Sequence, residues 1–302
     1  MPSSASRRHK WRLDDDEPSY AKRGHRRSLP ALDVHDATDG LPDGDRWSTW
    51  DQSTAGERGP QPYPDWLVTE LAATDTELGV LKTGKEADVV LLRRAVPGGP
   101  ACLLAAKRYR SAEHRMFHRD SAYLEGRRVR ESRDNRAMAR RTTAGREMIA
   151  QQWAAAEFRA LGQLWQAGVP VPYPVQVTGT EILLEFIGSA DGTAAPRLAE
   201  TRPPGAELAA LWEQLVAALL TLAGLGLAHG DLSAYNLLVR DGQLILIDLP
   251  QVVDVFANPQ GAQFLEGDVA NVAKWFTARG LAGVTPSPAD LPALLRREAR
   301  LG

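Results

Sequence analysis

His229-Gly230-Asp231-Leu232-Ser233-Ala234-Tyr235-Asn236, followed by Ile245-Leu246-Ile247-Asp248, is the stretch of this chain on which the fold turns. Asp231 and Asn236 stand five positions apart in a polar loop, and Asp248 closes an apolar run twelve residues after Asn236. Between them, Asp241-Gly242 turns two short strand-like runs, 237–240 and 244–247, into a hairpin that brings Asp248 back beside the loop. Three hard oxygen donors thus gather in one place. Phosphoryl transfer needs an aligned acceptor and metal ions that neutralise the β- and γ-phosphates, and little covalent chemistry besides. Asp231 would orient or deprotonate the acceptor, Asn236 would offer a neutral oxygen to Mg²⁺, and Asp248 a second, charged one. Turn caps and a strand-end aspartate use the same residue types. The long apolar helix pattern before the loop and the hairpin after it supply the order that this chemistry requires.

Working upstream, Lys107 ends the run Leu103-Leu104-Ala105-Ala106-Lys107, where an ammonium could meet the α/β-phosphates. Arg108 is sent to the opposite face by strand alternation. A carboxylate from the following helix would hold the lysine. Glu157 is the natural partner, on a helix whose other face is apolar, with Glu147 the nearby alternative. Thr83-Gly84-Lys85-Glu86-Ala87 lies between two strand-like runs where a nucleotide-covering loop belongs. Backbone N–H groups near Gly84 and the Lys85 ammonium could meet phosphate there, although an ordinary hairpin turn would read the same way.

Around these residues the chain reads β-β-β-α-β-β and then mainly helical. Strands are expected over 77–81, 87–93, 102–108, 175–178 and 181–186, with helices over 146–167, 207–227, 261–279 and 289–300. Residues 65–74 could add a short helix capped by Asp65. A five-stranded antiparallel N-lobe with one main helix, joined to a helical C-lobe, is the bilobal, protein-kinase-like α+β architecture. The expected division is a charged, disordered tail over 1–60, an N-lobe over 61–186 and a C-lobe over 187–302. An arginine-rich flexible insert occupies 113–147.

Composition fits this division. The 302 residues carry a net charge of −2, with 43% hydrophobic and 25% charged residues, enough for a sizeable core. Cys102 is the only cysteine, which excludes an internal disulfide and a thiolate zinc cluster, and it reads as a small core hydrophobe. The most apolar stretch, 208–227, contains Glu213 and Gln214 and has helical periodicity, so a buried helix is expected rather than a membrane span. The basic start (Arg7, Arg8, Lys10, Arg12) is not followed by an apolar segment of the signal-peptide kind. A soluble cytoplasmic protein with no membrane partner is the expectation. In the tail, Trp47 and Trp50 are the residues suited to anchor it on the folded part.

Taken together, these motifs resemble the RIO-type atypical protein kinase family, with most likeness to its first subfamily and to a bacterial type of member. Thr83-Gly84-Lys85-Glu86-Ala87-Asp88-Val89 is similar to the family's short phosphate loop, with Lys82 standing where that loop has serine. His229–Asn236 resembles its catalytic loop, with His-Gly in place of the more usual His-Ala. Ile247-Asp248-Leu249-Pro250-Gln251 resembles its metal loop, and Asp268-Val269-Ala270-Asn271 the helix that buttresses its C-lobe. The resemblance runs from about 78 to 280 and includes the arginine-rich insert. It implies ATP in the interlobe cleft, with Thr83, Gly84, Lys85, Glu86, Lys107 and Glu157 around it. It also implies a hinge at 185–188 whose backbone at Glu185 and Ile187 pairs the adenine, and Mg²⁺ (or Mn²⁺ in its place) at Asn236 and Asp248. The expected activity is serine/threonine phosphorylation of a protein or of the chain itself, and/or ATP hydrolysis through an aspartyl-phosphate at Asp248, with Asp231 the catalytic aspartate.

Two other readings share the same machinery. His-Gly-Asp also occurs in aminoglycoside-type small-molecule kinases, but these need long C-lobe helices to build an acceptor pocket. Only 54 residues follow Asp248, which argues against them. A nucleotide-dependent RNA- or ribosome-binding module would use the arginines of the insert and tail on phosphates. The acids interleaved in the insert (Glu113, Asp120, Glu125, Glu131, Asp134, Glu147) dilute such a footprint.

Overall fold

The computed structural model describes residues 44–110, 143–249 and 252–301. The tail over 1–43, most of the arginine-rich insert, and Pro250-Gln251 of the metal loop lie outside these residues.

Six strands form one antiparallel sheet in the order β1-β2-β3-β4-β6-β5. They are β1 (Arg46–Trp47), β2 (Thr74–Thr83), β3 (Ala87–Ala95), β4 (Ala101–Tyr109), β5 (Pro174–Thr178) and β6 (Glu181–Glu185). The five expected strands are all present, and a two-residue strand joins at the edge. Helix α1 (Thr143–Gln166) crosses one face of the sheet. Ala150, Ala154 and Phe158 of α1 pack there against Ala87, Tyr109 and Ile182. The opposite face buries Leu92, Leu104, Ala106 and Leu183, alternating along their strands with the residues that face α1 and the cleft. Cys102 is buried on that face as an unpaired thiol, and burial pushes its pKa up.

Two expectations are corrected on this second face. The chain is ordered before residue 60: β1 pairs β2, Trp50 is 5% exposed in the core, and Gln176 Nε2 donates to Thr49 Oγ1 at 2.7 Å. Trp50, read as an anchor, is one. The fit is close enough that a Cβ on Gly59 would lie 1.9 Å from the Pro174 carbonyl. Residues 65–73 form two turns joined by irregular backbone instead of a short helix, and Thr74 already opens β2. So short a helix gains little by itself, and the turns let Leu67, Val68 and Ala73 all enter the core. Beside them Arg94 is fully buried, with bidentate bonds of 2.7 and 3.0 Å to Asp75 and one of 3.2 Å to Gln176. A guanidinium removed from water in this way requires such pairing.

The second lobe is built on α2 (Gly205–Gly224), α3 (Gly261–Ala278) and α4 (Leu291–Glu298). By length and hydropathy α2 would suit a membrane span. It is the central core helix instead, with Leu208, Leu211, Trp212, Leu215 and Leu222 buried against α3, α4 and a hairpin. That hairpin is β8 (Leu237–Arg240) with β9 (Gln243–Leu246), and its turn has Asp241 at φ 52 and Gly242 at φ 75, as an Asp-Gly turn requires. A short pair, β7 (Leu227–Ala228) with β10 (Val253–Asp254), flanks it. The catalytic-type loop runs from β7 to β8, and Asp248 follows β9.

Candidate active site

A cleft of about 710 Å³ lies between the sheet and the hairpin. Its walls include Lys82, Gly84, Lys85, Glu86, Val89, Lys107, Glu157, Glu185, Ile187 and Asp248.

At its back, Lys107 Nζ lies 2.7 Å from Glu157 Oε1 and 2.8 Å from Asp248 Oδ1. The cross-strand pairs Val89↔Lys107 and Lys107↔Ile182 fix its face. Glu157, on α1, is 1% exposed and fully engaged. Its Oε1 also accepts the Leu249 N–H at 3.2 Å, and its Oε2 accepts the Tyr109 hydroxyl. Glu147, the alternative partner, is exposed. One buried carboxylate therefore ties strand β4, helix α1 and the segment after Asp248 together. Burial alone would lower the Lys107 pKa, but the charges of Glu157 and Asp248 outweigh it and raise it. Burial likewise would raise the Asp248 carboxyl, and the ammonium groups of Lys107 and Lys82 hold it at about 2. The Tyr109 hydroxyl, buried beside Glu157, is pushed up and stays protonated.

Lys82 went unnoticed as a site residue in the sequence. Its Nζ stands 3.3 Å from Asp248 Oδ2. A register shift between Val80 and Lys82 puts it on the cleft face, and a one-residue shift of this kind leaves no mark in composition or periodicity.

Not all of the loop over 83–87 faces the cleft. Gly84, Lys85 and Glu86 are in its wall, whereas Thr83 is outside it. The Gly84 N–H donates to the Ala87 carbonyl at 3.0 Å, and the Thr83 hydroxyl and Gly84 backbone bond to Asp88, which Arg110 grips at 2.6 and 2.8 Å. At the other end of the cleft the Glu185 carboxylate is already used. It accepts Arg240 Nη1 at 3.1 Å and the Tyr173 N–H at 3.2 Å, bracing β6 against β8. The Ile187 carbonyl accepts the Ala195 N–H at 3.0 Å, while nothing among the described residues accepts the Ile187 N–H. Ile187 lines the cleft.

Asp231 and Asn236 lie outside the cleft wall, on the second lobe. The loop is held by its backbone: buried Asp268 of α3 accepts the Gly230 N–H at 3.0 Å and the Leu232 N–H at 2.9 Å. His229 Nε2 lies 3.2 Å from the Ile247 carbonyl. Asp231 itself is exposed, with its carboxylate outside this network. Asn236 is buried, donates Nδ2 to the Asp231 carbonyl at 2.9 Å and accepts the Ile247 N–H on its own carbonyl at 3.0 Å. That leaves its Oδ1 as an acceptor one residue across from Asp248. Among the described residues no cluster of three or more His, Cys, Asp or Glu could hold a metal. Mg²⁺ needs none, since it is usually bound by one or two protein oxygens plus phosphates and water. The amide of Asn236 and the carboxylate of Asp248 fit that pattern.

The family model described as "RIO domain" matches residues 104–288. The RIO-type serine/threonine-protein kinase Rio1 of Haloferax volcanii is 36% identical over 203 residues, covering 67% of this chain and 63% of that protein. Serine/threonine-protein kinase RIO1 of Chaetomium thermophilum is 34% identical over 212 residues, covering 67% of this chain and 40% of that protein. In both cases the match spans less than two thirds of the relative. The crystal structure of the Rio2 kinase from Chaetomium thermophilum superposes with a TM-score of 0.51 at 24% identity, over 72% of this chain and 63% of that one. That likeness concerns the fold.

Proposed function

Since this chain belongs to the RIO family, we propose that it is an ATP- and Mg²⁺-dependent phosphotransferase that phosphorylates serine or threonine on a protein or on itself. The observation that carries this reading is Lys107, held at 2.7 Å by Glu157 and at 2.8 Å by Asp248 in the wall of a nucleotide-sized cleft. A lysine anchored by a buried glutamate keeps its ammonium in place without a ligand and can meet phosphate oxygens with little reorganisation. The Ile187 N–H would take the purine edge. Gly84 and Lys85 would cover the phosphates. Asn236 and Asp248 would hold Mg²⁺, which neutralises the charge of the transferred phosphoryl group. Asp231, exposed and beside Asn236, would accept the proton of the attacking hydroxyl.

Asp248 also faces the cleft as an ionised carboxylate, so an aspartyl-phosphate route to ATP hydrolysis uses the same site. Incubation with γ-labelled ATP and Mg²⁺ separates the two. Acid-stable label on serine or threonine, lost in Asp231→Ala, is the expected result. Hydroxylamine-labile label lost in Asp248→Asn would establish the hydrolytic route instead. Neither label nor released phosphate, with casein or myelin basic protein supplied as acceptor, would overturn the proposal.

A further inference from the structure

Lys82 has no part in the reading above, and the sheet explains its position. With one extra residue at Leu81, Val80 stands opposite Val90 and Lys82 opposite Val89, and Val89 in turn stands opposite Lys107. Cross-strand partners share a face, so Lys82 and Lys107 lie in one row, two strands apart, on the cleft side. Both reach one carboxylate: Lys107 at 2.8 Å from Asp248 Oδ1 and Lys82 at 3.3 Å from Oδ2. The ammonium groups repel each other and are held together by the charge between them.

The two lysines are held unequally. Lys107 is buried and has a second anion, Glu157, at 2.7 Å. The Lys82 side chain is 38% exposed, and Asp248 is its only acceptor among the described residues. Removing Lys107 would strand a buried glutamate, which is costly, whereas an exposed pair is cheap to break. Lys82 belongs to the strand leading into the loop over 83–87, and Asp248 to the segment after β9, so their bond joins the two lobes.

We propose that Lys82 is a resident counter-ion of Asp248 that a divalent cation must displace in order to bind, so that metal loading releases the phosphate-covering strand from the metal-binding segment. This rests on the reading of Asp248 as a metal ligand. Oδ2 cannot serve the ammonium and a divalent cation at full strength together, and Lys82 is the cation free to leave.

The test uses Mn²⁺ alone, titrated into the nucleotide-free full-length protein and followed by loss of the free-ion paramagnetic resonance signal. Lys82→Ser and Lys82→Gln are expected to bind Mn²⁺ about two- to fivefold more tightly than wild type, the range that fits a partly exposed ion pair. Lys82→Arg keeps the charge and is expected to match wild type, and Asp248→Asn to lose the binding. Unchanged affinity in both neutral variants overturns the proposal. So does tight binding by Lys82→Arg, or undiminished binding by Asp248→Asn. Two neutral substitutions at an exposed side chain guard against a folding defect in either. No nucleotide enters the titration, so a failure to bind ATP would break the phosphotransfer reading separately.

Discussion

The two halves of the site are held in opposite ways. On the sheet side, Lys107, Glu157 and Asp248 hold one another through their side chains, in a chain of charges that is buried at Glu157 and Lys107 and ends at the part-exposed Lys82. On the helical side, the loop with Asp231 is held by its backbone, through Asp268 to Gly230 and Leu232, and the Asp231 carboxylate is left in solvent. The first arrangement spends its functional charges on structure and must rearrange when other charges arrive. The second is a fixed frame that leaves the Asp231 carboxylate without a bond to it. Activity and stability should therefore separate at the Asp231 carboxylate and move together at the charges on the sheet side.

The strongest test of that contrast is Asp231→Ala. Phosphoryl transfer should fall by about 10² to 10⁴, the range for a lost general base, while the unfolding free energy changes by no more than about 0.5 kcal/mol, as for other exposed positions. A large drop in the denaturant midpoint would show that the carboxylate is structural after all. Glu157→Ala comes next and should lose both properties. It leaves the Lys107 ammonium with one partner and the Tyr109 hydroxyl and Leu249 N–H with none from α1. A destabilisation of about 3 to 5 kcal/mol is expected from breaking a buried pair, read by urea titration. Asp268→Ala removes the acceptor of two backbone N–H groups and should cost about 1 to 3 kcal/mol. Activity should fall with it, because Asp231 is then no longer aimed.

The smallest effect is a pH dependence on the sheet side. Asp248 is held at about 2 against an ordinary 3.8. A carboxyl depressed on folding contributes stability that is present above the unfolded value and lost as pH falls through the folded one. Between about pH 4 and pH 2 the wild type should therefore lose on the order of 1 kcal/mol more than Asp248→Asn, allowing for solvent screening at a group a third exposed. Parallel acid-unfolding curves for the two proteins would remove that contribution.

Much of this was legible in advance, for physical reasons that differ by residue. Asp231, Asn236 and Asp248 announce themselves because a loop, a two-residue turn and a strand fix their spacing locally. Lys107 could be assigned a face because β4 runs without a bulge from Ala101 to Tyr109. Lys82 could not, because the extra residue at Leu81 belongs to the pairing of two strands and not to either strand alone. The segment over 44–60 reads as tail because it is polar. Its order comes from distant partners, Glu181 for Arg46 and Gln176 for Thr49, which lie more than a hundred residues away. Glu185 was expected to serve through its backbone, and its carboxylate turned out to brace Arg240 across the lobes.

Asp248 also has a backbone with φ 64, in the left-handed region. Asparagine and aspartate enter that region more readily than most side chains, and glycine most readily of all. The position is therefore narrow in sequence space on two independent counts, its charge and its backbone. Asn keeps the conformation and removes the charge, Gly removes both the charge and the strain, and Ala would add a backbone penalty of about 1 kcal/mol to the loss of the carboxylate. A library of variants at 248 should rank with Asn and Gly ahead of Ala, Val and Ile in folded yield, even where none retains activity. That ranking would report the shape of the chain at Asp248 apart from its charge.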